Sequence, residues 1–82
     1  MHTAGKTIRL RTVFGELIRK YRLKLKLSQE TLAEKADIHR TYVSDIELGK
    51  VDISITVAYK LAKALNISFS RLAKEAEEAL LK

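Results

Sequence analysis

The chain contains no cysteine, no proline and only three glycines among its 82 residues. The lack of cysteine excludes disulfides, thiolate metal sites and cysteine nucleophiles. The scarcity of proline and glycine favours helices that are joined by short connections. No apolar run approaches the roughly 18 residues that span a membrane, and Met1–Leu10 lacks the apolar core of a signal peptide. What remains is room for one small domain, for which a cytoplasmic location is expected.

Positive charge is what the chain carries in excess, and that charge is unevenly spread. The net charge is +6, with about +7 in residues 1–27, about −2 in residues 28–50 and about +1 in the remainder. A basic segment in a small protein is often only a solvated face. Beside a helix that fits a DNA groove it has a second use, because cations that neutralise phosphates release counterions and supply non-specific affinity.

The spacing of apolar residues predicts five helices and an all-α fold. Residues 1–11 are expected to form an N-terminal arm, and residues 12–82 the folded domain. The first helix is expected to run from Thr12 to near Leu25, although the alternation in Leu23–Leu27 taken alone would suggest a strand. The apolar stripes behind this prediction are Phe14, Leu17, Ile18, Tyr21 and Leu25 in the first helix, Val57, Ala58, Leu61, Ala62 and Leu65 in the fourth, and Phe69, Leu72, Ala76 and Leu80 in the fifth.

The middle of the chain has the pattern of two short helices joined by a tight turn. Ser28 is a good N-cap for a second helix over residues 29–36. Asp37 tolerates the left-handed backbone that such a turn needs, though less readily than glycine does. A third helix is expected over about His39–Leu48, and Gly49 is suited to end it.

The third helix carries a polar face opposite Val43 and Ile46, which are expected to be buried. That face consists of Arg40, Thr41, Ser44 and Asp45. In a DNA major groove Arg40 can form two hydrogen bonds with guanine, Thr41 can contact a thymine methyl group, and Asp45 can accept from cytosine N4. An ordinary solvated helix face would carry the same residue types, so composition alone leaves both interpretations open.

Five segments form an ordered series of motifs, namely residues 27–33, 38–44, 46–50, 54–57 and 61–67. Together they resemble the phage-repressor (Cro/CI, Xre-type) helix-turn-helix family, over about residues 13–72. Arg40–Ser44 followed by Ile46 and Glu47 also resembles the controller proteins of restriction–modification systems. The resemblance implies a five-helix, lambda-repressor-like domain that binds operator DNA.

The resemblance implies a role for each residue at a matching position. Base reading is expected of Arg40, Thr41, Ser44 and Asp45. Phosphate contacts are expected of Gln29, Tyr42 and Lys50. His39, a poorer helix cap than the usual Ser or Thr, either caps the third helix, lies exposed on the surface, or instead contacts a phosphate. Arg22 and Glu47 match a structural ion pair between the first and third helices. Lys26 and Asp37 stand where family members often carry glycine, so either both adopt left-handed backbone or the turns differ.

A single module of this kind contacts only a few base pairs. Two modules related by a two-fold axis read a palindrome whose half-sites lie about 34 Å apart. The candidate dimer interface is the face of the fifth helix that carries Phe69, Ala73, Ala76 and Leu80, although packing within the chain would also use part of it. The expected partners are double-stranded DNA, a second copy of the chain and RNA polymerase. No membrane, metal, cofactor or small-molecule ligand is expected.

The implied function is a transcriptional autoregulator of the controller type. A phage-type repressor and an antitoxin that binds DNA and neutralises a partner protein are the alternatives. Enzyme activity is disfavoured, because the candidate pairs Glu30 with Glu34 and Ser44 with Asp45 lie at ordinary helical spacing. No histidine pairing or metal-ligand set accompanies them in the sequence.

Overall fold

The computed structural model describes the backbone of residues 4–82 and the side chains from Arg9 onward, and this part contains five helices and no strand. The predicted all-α, five-helix fold is therefore confirmed. None of these helices is long and apolar enough to cross a membrane. The helices are α1 (Ala4–Lys24), α2 (Gln29–Ala36), α3 (Arg40–Glu47), α4 (Ile55–Ala64) and α5 (Phe69–Leu81).

Helix α1 begins earlier than the apolar pattern predicts. The predicted start at Thr12 is wrong, because residues 4–11 are helical, while the first three residues of the predicted arm lie outside the described part. Extending an existing helix adds one hydrogen bond for each residue fixed and needs no new nucleus. Arg9 and Arg11 also hold these turns through bonds to α5 and to the loop after α3. The predicted end of this helix near Leu25 is confirmed, since α1 continues to Lys24 in place of the strand that the alternation alone would suggest.

Serine side chains begin three of the helices. Ser28, Ser54 and Ser68 cap α2, α4 and α5, and the hydroxyl of each accepts from the backbone N–H three residues later at 3.0–3.1 Å. Each cap satisfies one of the N–H groups that a helix start leaves unpaired. The predicted cap Ser28 is confirmed.

Left-handed backbone occurs where α1, α2, α3 and α4 end. The φ angles are 59° at Lys26, 56° at Asp37, 70° at Gly49 and 59° at Asn66. The expectation that Asp37 and Gly49 turn the chain is confirmed, and Lys26 adopts the same region without being glycine. A non-glycine residue there costs about 1–2 kcal/mol, which the packing of the helices offsets.

The core lies where the inner faces of the helices meet. Its fully buried large side chains are Ile18, Leu32, Val43, Ile46, Leu61 and Leu72.

A polar contact at the edge of the core joins α1 to α5. The Tyr21 hydroxyl donates to Glu75 Oε1 at 2.6 Å, and Arg71 Nε donates to Glu75 Oε2 at 3.0 Å. These bonds, from Tyr21 first and Arg71 next, lower the pKa of Glu75, and the bond to Glu75 raises the pKa of Tyr21. Helix α3 packs one face on the core and turns its other face to solvent.

Candidate nucleic-acid interface

The outer face of α3 carries the four residues predicted to read bases. Arg40 and Thr41 are exposed, and Ser44 and Asp45 are half-buried. The opposite side of α3 is fixed in the core. The four side chains therefore share one accessible face that begins at the amino-terminal end of α3, which is the end that enters the major groove in helix-turn-helix proteins.

His39 caps α3 with its ring. The Nδ1 atom of His39 accepts from the backbone N–H of Thr41 at 3.1 Å. In a neutral imidazole whose Nδ1 accepts, the hydrogen is on Nε2. The His39 side chain is exposed, so this Nε2–H can donate to a phosphate oxygen while the cap stays formed. Capping and phosphate contact by His39 are thus compatible.

A buried ion pair joins α1 to the last residue of α3. Arg22 Nε donates to Glu47 Oε2 at 2.6 Å and Arg22 Nη2 donates to Glu47 Oε1 at 3.0 Å, with the two side chains 10% and 3% exposed. Arg22 Nη1 donates to the Leu27 carbonyl at 2.9 Å. Gln29 Nε2 also donates to Glu47 Oε1, at 3.0 Å. The Gln29 amide thus braces α3 and retains one N–H for a phosphate.

Gly15 permits a close approach between α1 and α3. A Cβ atom at this position would lie 2.2 Å from the Ile46 carbonyl oxygen and 3.1 Å from the Glu47 carbonyl oxygen. The two helices therefore meet backbone to backbone at the end of α3. Sequence reasoning missed Gly15, although a glycine inside a regular helical pattern is itself a sign of close packing.

Two further predicted phosphate contacts lie near the ends of α3. Tyr42 is half-buried and packs against the core, and Lys50 is exposed in the loop after the helix, beyond Leu48 and Gly49. The backbone N–H of Lys50 donates to the Asp45 carbonyl at 3.0 Å. Among the described side chains, the exposed cations on α1 and the turn after it are Arg9, Arg19, Lys20, Lys24 and Lys26.

A second ion pair, which the sequence did not predict, ties α1 to the loop after α3. Arg11 Nε donates to Asp52 Oδ1 at 2.7 Å, and Arg11 Nη2 donates to Asp52 Oδ2 at 2.9 Å. The hydrogen bonds and the opposite charge raise the pKa of Arg11 and lower the pKa of Asp52. The pair therefore stays ionised at neutral pH.

An apolar groove of about 740 Å³ lies between α1, the loop after α3 and α5. All four residues predicted to form a dimer interface line it, with Ala73 exposed and Phe69 and Leu80 half-buried. The fourth, Ala76, is only 4% exposed and packs within its own chain. Close packing of α5 on the core leaves this small side chain little surface for a partner.

Comparison with known proteins adds to this geometry. A family profile described as helix-turn-helix matches residues 18–72. Control protein C.BamHI of Bacillus amyloliquefaciens is 45% identical over 62 residues, which are 74% of this chain and 76% of that protein. The crystal structure of the restriction-modification controller protein C.AhdI from Aeromonas hydrophila has a TM-score of 0.73 and 39% identity, and the match covers 76% of this chain and 94% of that one. The C.Esp1396I controller tetramer in complex with its natural 35 base-pair operator has a TM-score of 0.80 and 30% identity, over 89% and 96% of the two chains.

Proposed function

Because the chain belongs to the Xre-type helix-turn-helix family of DNA-binding transcription regulators, we propose that it is a restriction–modification controller that binds palindromic operators as a homodimer in the cytoplasm. The main support for the proposal is the position of α3. The accessible face of α3 presents Arg40 and Thr41 to solvent, while the buried Arg22–Glu47 pair fixes the far end of the same helix. A rigid helix with a polar outer face is what base reading requires.

Base reading is proposed for this polar face of α3. Arg40 forms two hydrogen bonds with O6 and N7 of a guanine, and Thr41 bonds a base edge or packs on a thymine methyl group. Asp45 accepts from a cytosine amino group, and its negative charge disfavours sites that lack one. The burial of Val43 and Ile46 at 0% and 1% exposure sets which side of α3 can face the groove.

Phosphate contacts are proposed at both ends of α3. His39 donates from Nε2, Gln29 donates its second amide N–H, and Tyr42 donates from its hydroxyl group. Lys50 supplies charge beyond the carboxyl end of α3. Such contacts set the register of a protein on the duplex but carry no sequence information.

A homodimer is proposed because one copy of α3 spans too few base pairs to define an operator. The two copies would meet through the α5 side of the apolar groove, with the exposed Ala73 at its centre and Phe69 and Leu80 on either side. A two-fold axis then places two α3 helices one DNA turn apart, at about 34 Å. The C.Esp1396I controller assembles as a tetramer on a 35 base-pair operator, which supports an oligomer of this kind.

The Ala73→Glu variant is expected to dissociate the proposed dimer. A charged side chain at the centre of an apolar interface loses its hydration without gaining a partner. Because Ala73 is exposed in the monomer, its replacement leaves the core intact. Sedimentation equilibrium measures the self-association of this variant. Lys63→Glu, at an exposed position of α4, is the control and is expected to keep self-association. Unchanged sedimentation of both Ala73→Glu and Leu80→Lys would remove this face from the interface.

Regulation is proposed to depend on operator occupancy. A dimer bound near its own promoter either blocks RNA polymerase or recruits it, according to where the site lies, and no small ligand is needed. The related control proteins make the controller assignment preferable to an antitoxin or a phage-type repressor. Those relatives regulate transcription, which also implies a role without enzyme activity.

Selection of bound duplexes from a random pool tests the proposed function. At about 150 mM salt, where non-specific binding is weak, the protein is expected to enrich a palindrome. Arg40→Ala is expected to lose discrimination at one base pair of each half-site by about 1–3 kcal/mol, or roughly 5- to 150-fold. The change should be confined to that position, because the other base-reading side chains remain.

Lys50→Ala is the matched control for this selection. Removing a phosphate contact from each subunit weakens all sequences alike and lowers the slope of log affinity against log salt by about 2, or about 1 for each subunit. The enriched sequence should therefore stay the same in Lys50→Ala. Enrichment of no sequence by the unaltered protein, with binding that only fades as salt rises, would contradict the proposed function.

A further inference from the structure

The loop between α3 and α4 has little backbone bonding of its own. After the bond from the Lys50 N–H to the Asp45 carbonyl, none of the backbone N–H groups of residues 51–54 donates to a backbone carbonyl of the described part of the chain. The loop is neither helix nor strand over residues 51–54. Side chains must therefore hold it in place, since a segment without backbone bonds opens easily.

Two kinds of side chain do this. Val51 and Ile53 are half-buried and pack on the core. Asp52, which lies between them, is bound at both carboxylate oxygens by Arg11 of α1. The fork of a guanidinium on a carboxylate defines direction as well as distance, so it fixes the loop more tightly than apolar contact alone.

The same turn of α1 also packs against the residue that precedes the loop. A Cβ atom on Gly49 would lie 3.2 Å from the Cα atom of Thr12. Gly49 and Asp52 thus rest on consecutive residues of α1, and Lys50 lies between these two anchors. Its exposed side chain points outward from a segment that is held on both sides.

We propose that Arg11 is a positioning residue for DNA binding, which holds Asp52 so that the Lys50 ammonium group meets a phosphate. The inference rests on the proposed function, because it assigns a cause to one of the phosphate contacts of the interface. Arg11 acts through Asp52 and the loop, and does not itself contact DNA.

The effect on DNA affinity of removing the Asp52 charge is expected to be opposite to the effect of charge alone. Asp52 is a carboxylate whose side chain is 70% exposed, on a loop that carries a proposed phosphate contact. Removing its charge raises the net charge above +6 and should tighten binding to DNA if charge alone mattered. If Asp52 fixes the loop, its replacement weakens binding instead.

The experiment measures operator affinity of Asp52→Asn and Arg11→Gln over a range of salt concentrations, on the duplex enriched in the selection. Each variant is expected to bind about 30-fold more weakly at about 0.15 M salt, because the two subunits lose one phosphate contact each and each neutralised phosphate contributes a slope of about 0.9 in log affinity against log salt. The slope of log affinity against log salt should fall by about 1.8. Glu34→Gln, which removes an exposed carboxylate from α2, is the matched control and should bind equally or more tightly.

Both variants are then repeated in a Lys50→Ala background. If Arg11 and Asp52 act only through Lys50, neither substitution weakens binding further once Lys50 is absent. Thermal unfolding of all variants should differ little, since an exposed ion pair adds little to stability.

Three outcomes would overturn the inference. Binding of Asp52→Asn as tight as that of the unaltered protein would show that the loop needs no clamp. A further loss for Arg11→Gln in the Lys50→Ala background would show that Arg11 meets DNA directly. Failure of the unaltered protein to select any duplex would remove the proposed function, and this inference with it.

Discussion

The Glu47→Gln variant is expected to lose about 3–5 kcal/mol of unfolding free energy, because it breaks a buried pair and leaves one charge without a partner. Glutamine has nearly the shape of glutamate, so no cavity is made. Its amide group, however, presents N–H groups to a guanidinium that has only N–H groups to offer. The side chain of Arg22 is only 10% exposed, and water cannot fully replace the lost carboxylate.

A loss of that size is large for a small domain, whose total stability is about 5–15 kcal/mol. Urea denaturation followed by circular dichroism measures it. Arg71→Gln breaks an exposed pair on α5 and should change the midpoint far less. The double variant Arg22→Met with Glu47→Met should regain much of the loss, since apolar side chains of similar size often replace a buried pair without cost. A midpoint unchanged in Glu47→Gln would mean that the pair does not hold α3.

The Gly15→Ala variant is expected to lower the unfolding free energy by about 2 kcal/mol and to abolish operator binding, because overpacking typically costs about 1–3 kcal/mol. The added methyl group would lie 2.2 Å from the Ile46 carbonyl oxygen and 3.1 Å from the Glu47 carbonyl oxygen. Both oxygens belong to the backbone, so neither can rotate away as a side chain could. Helix α3 must then move outward from α1. Alanine favours an isolated helix over glycine by about 1 kcal/mol, so destabilisation would show that packing outweighs propensity.

Operator binding and unfolding are measured on the same Gly15→Ala sample. Binding is assayed well below the unfolding midpoint, where the variant is still folded, so that any loss reports the displacement of α3. Glu16→Ala changes an exposed neighbour on α1 and should stay within about 0.5 kcal/mol of the unaltered protein. A Gly15→Ala protein that is more stable and binds the operator normally would refute the close contact between the two helices.

Both variants affect the carboxyl end of α3. Gly15 sets how near that end comes to α1, and the Arg22–Glu47 pair sets its rotation. The residues proposed to read bases lie nearer the other end of the same helix. Because α3 moves as a rigid helix, a small displacement of its carboxyl end also displaces the residues proposed to read bases. Contacts remote from DNA are therefore expected to control recognition of the operator.

Local physics determined much of what the sequence predicted about this protein. The bounds of α2, its Ser28 cap and the left-handed turn at Asp37 depend on neighbouring residues only, and each was predicted. The polar face of α3 follows from helical spacing in the same way. The start of α1 was not predicted, because the apolar pattern begins only near Thr12 and the early turns depend on contacts with distant residues.

Tertiary structure alone decided how the site is held together. The Arg11–Asp52 clamp joins residues 41 positions apart, and no spacing rule could pair them. The Arg22–Glu47 pair, 25 positions apart, was expected only from the family resemblance. Periodicity placed Ala76 on the apolar stripe of α5, but only the folded chain decides that Ala76 is buried while Ala73 on the same helix is exposed. Helices, caps and turns are set by residues within a few positions of each other, whereas the anchoring of α3 depends on where the folded chain brings distant residues together.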